Sequence, residues 1–349
     1  MAGRLVMSAG EGNYWQRHAG LATTLLFAAA IVIGSTLGWF APAIGQHASG
    51  AVDTTILWLV GLLIFEVRLT RCRLRRAELR VLALTWIANF VLIPALGFAI
   101  ASLFLSGQPL FRTGLIIYFM APCTDWFLGF TRLARGNTAL GAMLLPLNMA
   151  SQLLLYPLFI AIYAGAAAPV DPATMGDTLL NWFVWPFVVA VALRLLADRA
   201  LPRSWHRRLM HGLERVIPLL IALLIVEIFA AHIGTLVEHA DVFATVLFAV
   251  FAFFVATFIL GEVTARVGRL AYADHALLAM TTAARNAPMM LGVTALAMPD
   301  QPLVYAAIII GMLVEFPHLT ALRHILLKTG TVEGAPVAEA RVPSPRSAS

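Results

Sequence analysis

Charge is scarce in this chain. Only 12% of its 349 residues are Asp, Glu, Lys or Arg, about half of the roughly 25% found in soluble domains. Lysine is nearly missing, with Lys328 alone against 23 arginines, and there are two cysteines, Cys72 and Cys123. Two thiols in such different surroundings make no disulfide framework. No HExxH, nucleophile elbow or P-loop occurs in the sequence, so an enzyme is not expected. Nothing in it calls for a cofactor or a resident metal. The shortage of charge excludes an ordinary soluble enzyme, a disordered chain and a nucleic-acid binder, despite the pI of 9.9.

What the chain has in excess is apolar. Hydrophobic residues make up 60% of it and the mean hydropathy is +0.86, enough for about ten spans of about 20 residues. Apolar stretches of that length run at 18–41, 51–67, 81–105, 110–130, 138–164, 178–197, 216–237, 242–265, 275–298 and 301–322. They do not alternate as barrel strands do, which leaves helices to satisfy the backbone in lipid. The first stretch is long enough to span and follows a polar Gly10–Gln16 segment, so no cleaved signal is expected.

The arginines test that map. With the N-terminus inside, the cytoplasmic segments hold Arg4 and Arg17, then Arg68 to Arg80, Arg132 and Arg135, Arg194 to Arg215, Arg266 and Arg269, and the basic residues from Arg323 onward. These are 22 of the 24 cationic residues. Arg112 alone falls outside, and Arg285 lies within a span. Such asymmetry is the positive-inside rule at work, and a missed span would scramble it. The basic run at 68–80 is read as a topology determinant before a nucleic-acid or lipid-headgroup patch. The expected frame is a multi-pass protein of a bacterial cytoplasmic membrane with both termini inside. Residues 1–17 form a cytoplasmic segment, 18–164 a first five-helix repeat, 165–328 a second and inverted repeat, and 329–349 a disordered tail.

Ten spans divide into two fives of opposite orientation, the plan of an inverted-repeat carrier. The fourth span carries Ala121-Pro122 at mid-depth and the ninth Ala287-Pro288. A proline inside a helix removes a hydrogen bond and clashes with the preceding turn, and interrupted helices at equivalent places in two halves point to a midplane site. The expected fold is therefore an all-α polytopic membrane protein of ten transmembrane helices in two inverted five-helix repeats. Its broken helices four and nine would cross near the midplane. Asn148 follows Pro122 by 26 residues and Glu315 follows Pro288 by 27, a polar group at matching depth in each half.

Charges at mid-membrane cost about 2.5–3.5 kcal/mol each on insertion scales. Asp125, Arg285 and Glu315 are the deep ones, and Cys123, Thr124, Asn148, Gln152, Thr281, Thr282 and Asn286 join them. Two readings stay open for the amides and threonines: helix–helix hydrogen bonds or a substrate site. For Arg285 an internal ion pair with Asp125 or Glu315 is compatible with either. Glu227 and His232 in span seven read as a structural pair before a proton path. His318, three positions after Glu315, reads as a packing residue. Cys123 is either a small buried residue or a soft ligand for a metalloid.

Three stretches resemble one family. Met120-Ala-Pro-Cys-Thr-Asp-Trp126, continuing to Leu133-Ala-Arg-Gly-Asn137, is similar to the fourth-span motif of the arsenite permeases within the bile acid/sodium symporter superfamily. Trp86-Ile-Ala-Asn-Phe90 with Pro94-Ala-Leu96 resembles the third-span pattern of that family, and Gly311-Met-Leu-Val-Glu-Phe-Pro317 its tenth-span motif. The resemblance implies that Cys123 contacts the metalloid, that Glu315 couples protons, and that Asn148 is a polar fifth-span position. The ninth span departs from the pattern. Arg285-Asn-Ala-Pro288 stands where arsenite permeases carry Asn-Phe-Phe-Glu, and Thr281 and Arg285 stand where sodium-coupled bile acid carriers have glutamate and glutamine ligands. A sodium ion beside a fixed guanidinium is repelled, so Arg285 either replaces a bound cation or attracts an anionic substrate.

The expected function is export of arsenite, or a related trivalent metalloid, by proton antiport. The substrate site would comprise Cys123, Thr124, Asp125, Asn148, Arg285, Asn286 and Glu315, with Glu315 and Asp125 coupling protons and Pro122 and Pro288 breaking the helices. The alternative is a sodium-independent carrier of an organic or inorganic anion bound through Arg285. Expected partners are the small substrate, protons and the lipid bilayer, with no nucleic acid.

Overall fold

A computed structural model describes residues 9–66, 76–124, 126–164, 185–200 and 202–332. Among these residues the chain is helical throughout, with no strand and one isolated bridge. Helix α1 is Ala9–Phe40 and α2 is Pro42–Glu66. Helices α3 (Arg76–Ile87) and α4 (Ile93–Phe104) are joined by a π-helical turn at Ala88–Leu92. Then come α5 (Pro109–Met120), α6 (Trp126–Leu133) and α7 (Thr138–Phe159), the last ending in a π turn at Ile160–Ala164. Beyond lie α8 (Trp185–Ala200), α9 (Arg203–Glu238), α10 (Phe243–Gly268), α11 (Tyr272–Ala283), α12 (Ala287–Ala297) and α13 (Pro302–Val332).

Six helical stretches among the described residues are long and apolar enough to cross a membrane: Ala22–Phe40, Arg76–Phe104, Thr138–Tyr156, Ser204–Glu238, Ala240–Gly268 and Pro302–Thr329. The expected fourth and ninth spans are each split into two short helices, so α5 and α12 have 12 and 11 residues. At 1.5 Å per residue each covers about 17 Å, half a bilayer. All-helical among the described residues, with these six stretches, the chain is a polytopic membrane protein.

Helix ends differ from the hydropathy map where a helix runs on into polar surroundings. Helix α1 begins at Ala9, ahead of the apolar run, and α13 continues through Val332 into the stretch expected to be a tail. Helix α9 begins at Arg203 and carries the basic residues before its apolar part. The start of the sixth span, the boundary between residues 164 and 165, Cys72 and most of the basic 68–80 run lie outside the described residues.

Helices α1 and α2 pack along α9, and α5 packs along α13. Both contacts are made close by glycine. A Cβ on Gly34 or Gly38 would lie 2.7 or 2.4 Å from the α9 carbonyls of Val226 and Ala230, so this Gly34-x-x-x-Gly38 pair lets backbones touch. Lipid-facing surface shows on α10, where the exposed Phe248, Phe251, Val255, Ile259 and Val263 recur every three or four positions. Cys123, Thr281, Thr282, Arg285 and Asn286 of the broken spans are buried within the helical packing.

Candidate functional site

The two broken spans meet at their breaks. Helix α5 stops at Met120 because Ala121 turns extended (φ −102°, ψ 109°) ahead of Pro122, which cannot continue a helix. Helix α11 stops at Ala283, where Ala284 turns extended (φ −79°, ψ 135°) without a proline directly after it. The extended segments pair as a short antiparallel bridge between Pro122 and Arg285. Cys123 N donates to Ala284 O at 3.0 Å and Asn286 N to Ala121 O at 2.9 Å. Each break thus satisfies backbone groups that the other leaves open, which is obligatory where no water can reach them. Pro288 does not sit mid-helix as expected. It occupies the first turn of α12, where a missing N–H does no harm, behind an Asn286 cap whose side chain accepts from Met289 N at 3.4 Å.

Arg285 is fully buried. Its guanidinium donates to the carbonyls of Phe119 (2.8 Å), Thr281 (2.9 Å) and Thr282 (2.8 Å), and to Asn89 Oδ1 at 3.5 Å. The Phe253 ring lies 6.0 Å from its Cζ. The expected ion pair with Glu315 takes a different form: the main-chain N–H of Arg285 donates to Glu315 Oε1 at 3.0 Å. Glu315 is 2% exposed, and its Oε2 receives the Tyr118 hydroxyl at 3.3 Å, which also faces Gly311 O at 3.1 Å. Helix α13 therefore holds the ninth-span break through a carboxylate.

The buried amides converge on Thr281. Asn89 Nδ2 donates to Thr281 Oγ1 at 3.1 Å and Asn148 Nδ2 reaches the same oxygen at 3.4 Å. Among the described residues, Asn148 Oδ1 and both amide atoms of Gln152, one turn further along α7, are buried without a hydrogen-bond partner. Next to them Trp86 Nε1 donates to Ser151 Oγ at 2.9 Å. Asn286 Nδ2 donates to Thr124 Oγ1 at 3.1 Å, and Cys123 between the breaks is fully buried. Asp125 lies outside the described residues.

Other candidates from the sequence are placed elsewhere. Glu227 on α9 accepts from Thr55 of α2 at 3.0 Å rather than pairing with His232, where α9 leaves helical geometry (φ −124°). Positions five apart lie about 140° apart around a helix, so the two side chains do not share a face. His318 stacks on Phe254 at 4.2 Å with an interplanar angle of 11°, a packing role. Apart from these candidates, Glu262 near the end of α10 meets His275 near the start of α11 at 2.7 Å. Asn137, from the fourth-span motif, starts α7 by accepting from Leu140 N at 3.1 Å and clasps Asp274 at 2.8 Å.

Two residues at the crossing were not singled out by sequence reasoning. Tyr118 is one, and its only signal is a tyrosine two positions before the break. Asn89 is the other, noticed inside a motif but without a role. The π turn at Ala88–Leu92 that holds it is of a kind frequent at functional sites, and the Pro94 that follows removes a donor and favours such a turn.

The chain is similar to known proteins. The arsenical-resistance protein Acr3 of Corynebacterium glutamicum is 24% identical over 341 residues, covering 91% of this chain and 90% of that protein. The probable chloroplastic sodium/metabolite cotransporter BASS2 of Oryza sativa subsp. japonica is 27% identical over 234 residues, covering 65% of this chain and 52% of that protein. The sodium bile acid symporter family model matches residues 56–239, more than half of the chain. These are transporters rather than enzymes, and the chain belongs to the sodium bile acid symporter family.

Proposed function

We propose that this protein is a secondary active carrier that exports arsenite, or a related trivalent metalloid, from a bacterial cytoplasm by proton antiport. In this reading the ten spans form two inverted five-helix repeats, residues 18–164 and 165–328, with both termini inside. The supporting observation is the shared bridge. Cys123 pairs with Ala284 on one side of it, and Glu315 accepts from the adjacent Arg285 on the other. A soft thiol suits a metalloid, and a titratable carboxylate bonded to the same strand of backbone can report cargo to proton.

Arsenous acid is neutral at pH 7, so the membrane potential alone does not drive it. Exchange for a proton supplies about 2.3 kcal/mol per charge per 100 mV. The unpartnered Asn148 Oδ1 and Gln152 amide offer buried acceptors and donors together, a set that suits a neutral hydroxylated solute. An anion held by Arg285 is less well supported, because carbonyl oxygens already surround that guanidinium. Thr124, Asn286 and Asp125 complete the proposed substrate contacts, and Asp125 assists Glu315 with protons.

The test is uptake of labelled arsenite into everted membrane vesicles, with wild type set against Cys123→Ala, with and without a proton gradient. Gradient-dependent accumulation that the variant loses is the expected result. Absence of accumulation in the wild type would retire arsenite as the cargo.

A further inference from the structure

The oxygens around Arg285 share an origin. Helix α5 ends at Met120 and α11 at Ala283, so Phe119, Thr281 and Thr282 present last-turn carbonyls that no intrahelical N–H can reach. Both helices also direct the negative ends of their dipoles at the crossing. Three such carbonyls lie within 2.9 Å of the guanidinium nitrogens, and Asn89 Oδ1 adds a fourth oxygen at 3.5 Å. An all-oxygen cage at paired helix C-termini is the coordination by which carriers with broken helices hold alkali cations. Here the cage is filled by a side chain that is fully buried and cannot leave.

We infer that Arg285 is a tethered resident cation: its guanidinium occupies a monovalent-cation cage, makes the closed crossing independent of alkali ions, and leaves a cation site behind when it is removed. The inference concerns the coupling ion and not the cargo, so it stands or falls separately from arsenite export. The geometry favours this role over anion capture. The hydrogen bonds of the guanidinium all go to protein oxygens, and among the described residues Nε, the one nitrogen without a bond, is buried as well. Lysine fits the site less well, since one ammonium cannot span carbonyls from both breaks as a planar fork does.

The experiment is thermal unfolding of purified wild type and Arg285→Ala in one detergent, titrated with sodium, lithium, potassium or guanidinium chloride, with choline chloride as the ionic-strength control. The wild type should show no cation-specific change in Tm. The variant should melt lower in choline and rise saturably with one small monovalent cation or with low guanidinium, by about 5 °C at a hundredfold excess over Kd. Arg285→Gln, which keeps more side-chain volume, should respond in the same sense as Arg285→Ala. A saturable sodium response in the wild type would overturn the inference, as would variants indifferent to every cation tested. Failure to recover either variant with sodium or guanidinium present throughout purification would also count against it, because a refillable cage should be rescued.

Discussion

The main-chain N–H of Arg285 donates to Glu315 Oε1 at 3.0 Å, so a carboxylate on α13 is bonded to the backbone of the break between α11 and α12 itself. What this bond needs is an oxygen, not a charge. That separates two roles of Glu315 which ordinary alanine replacement would confuse.

Glu315→Gln keeps an acceptor for the Arg285 N–H and loses the titratable proton. It should fold, lose accumulation driven by a pH gradient, and retain exchange of arsenite between equal pools. Glu315→Ala should instead lower stability by about 1–3 kcal/mol, since it strands a buried donor. Loss of exchange in Glu315→Gln would assign the carboxylate to substrate binding.

Cys123 is fully buried between the breaks, and its hydrogen bond across the bridge is made by backbone. Cys123→Ala and Cys123→Ser should therefore keep the crossing and a near-native Tm while losing arsenite accumulation. A large fall in Tm, measured in detergent, would show that the thiol acts by packing.

Tyr118 and Gly311 work as a pair. A Cβ on residue 311 would come within 2.5 Å of the Tyr118 ring, and the tyrosine hydroxyl is anchored to Gly311 O and Glu315. Gly311→Ala should cost about 1–3 kcal/mol through overpacking. Tyr118→Phe should cost about 1 kcal/mol. Equal Tm values for wild type and Gly311→Ala would mean that α5 and α13 can separate locally.

Asn89 bridges Thr281 and Arg285. Asn89→Ala removes both bonds at once and should reduce the initial rate of transport about tenfold, about 1.4 kcal/mol for the two together. An unchanged rate would confine Asn89 to holding its π turn.

Glu227 offers a contrast. Its Oε1 accepts from Thr55 across the contact of α2 with α9, an arrangement glutamine can keep. Glu227→Gln should transport at the wild-type rate and with the wild-type dependence on the pH gradient. Loss of gradient dependence would place a second proton site in span seven.

Much of the fold was legible because hydropathy and arginine placement are one-dimensional signals. Runs such as 242–265 match α10 to within a few residues, since a lipid-exposed helix must be apolar along its length. Helix ends were less legible. The polar residues before Ala22 and the basic ones after Arg203 remain helical although they do not read as membrane. The breaks were visible through Pro122 and Pro288, and the deep polar residues through their cost in lipid.

The sequence by itself therefore determined a helical membrane protein, two interrupted spans and the residues at their breaks, because each follows from transfer energies and proline sterics that act locally. Tertiary structure alone decided which break meets which, that Glu315 binds a backbone N–H rather than the Arg285 side chain, and that Glu227 belongs to Thr55. It also decided that Arg285 faces carbonyls instead of a carboxylate. The physical reason is that main-chain carbonyls are the same at every residue. Only the ends of helices leave them unbonded, and only packing brings two such ends around one cation.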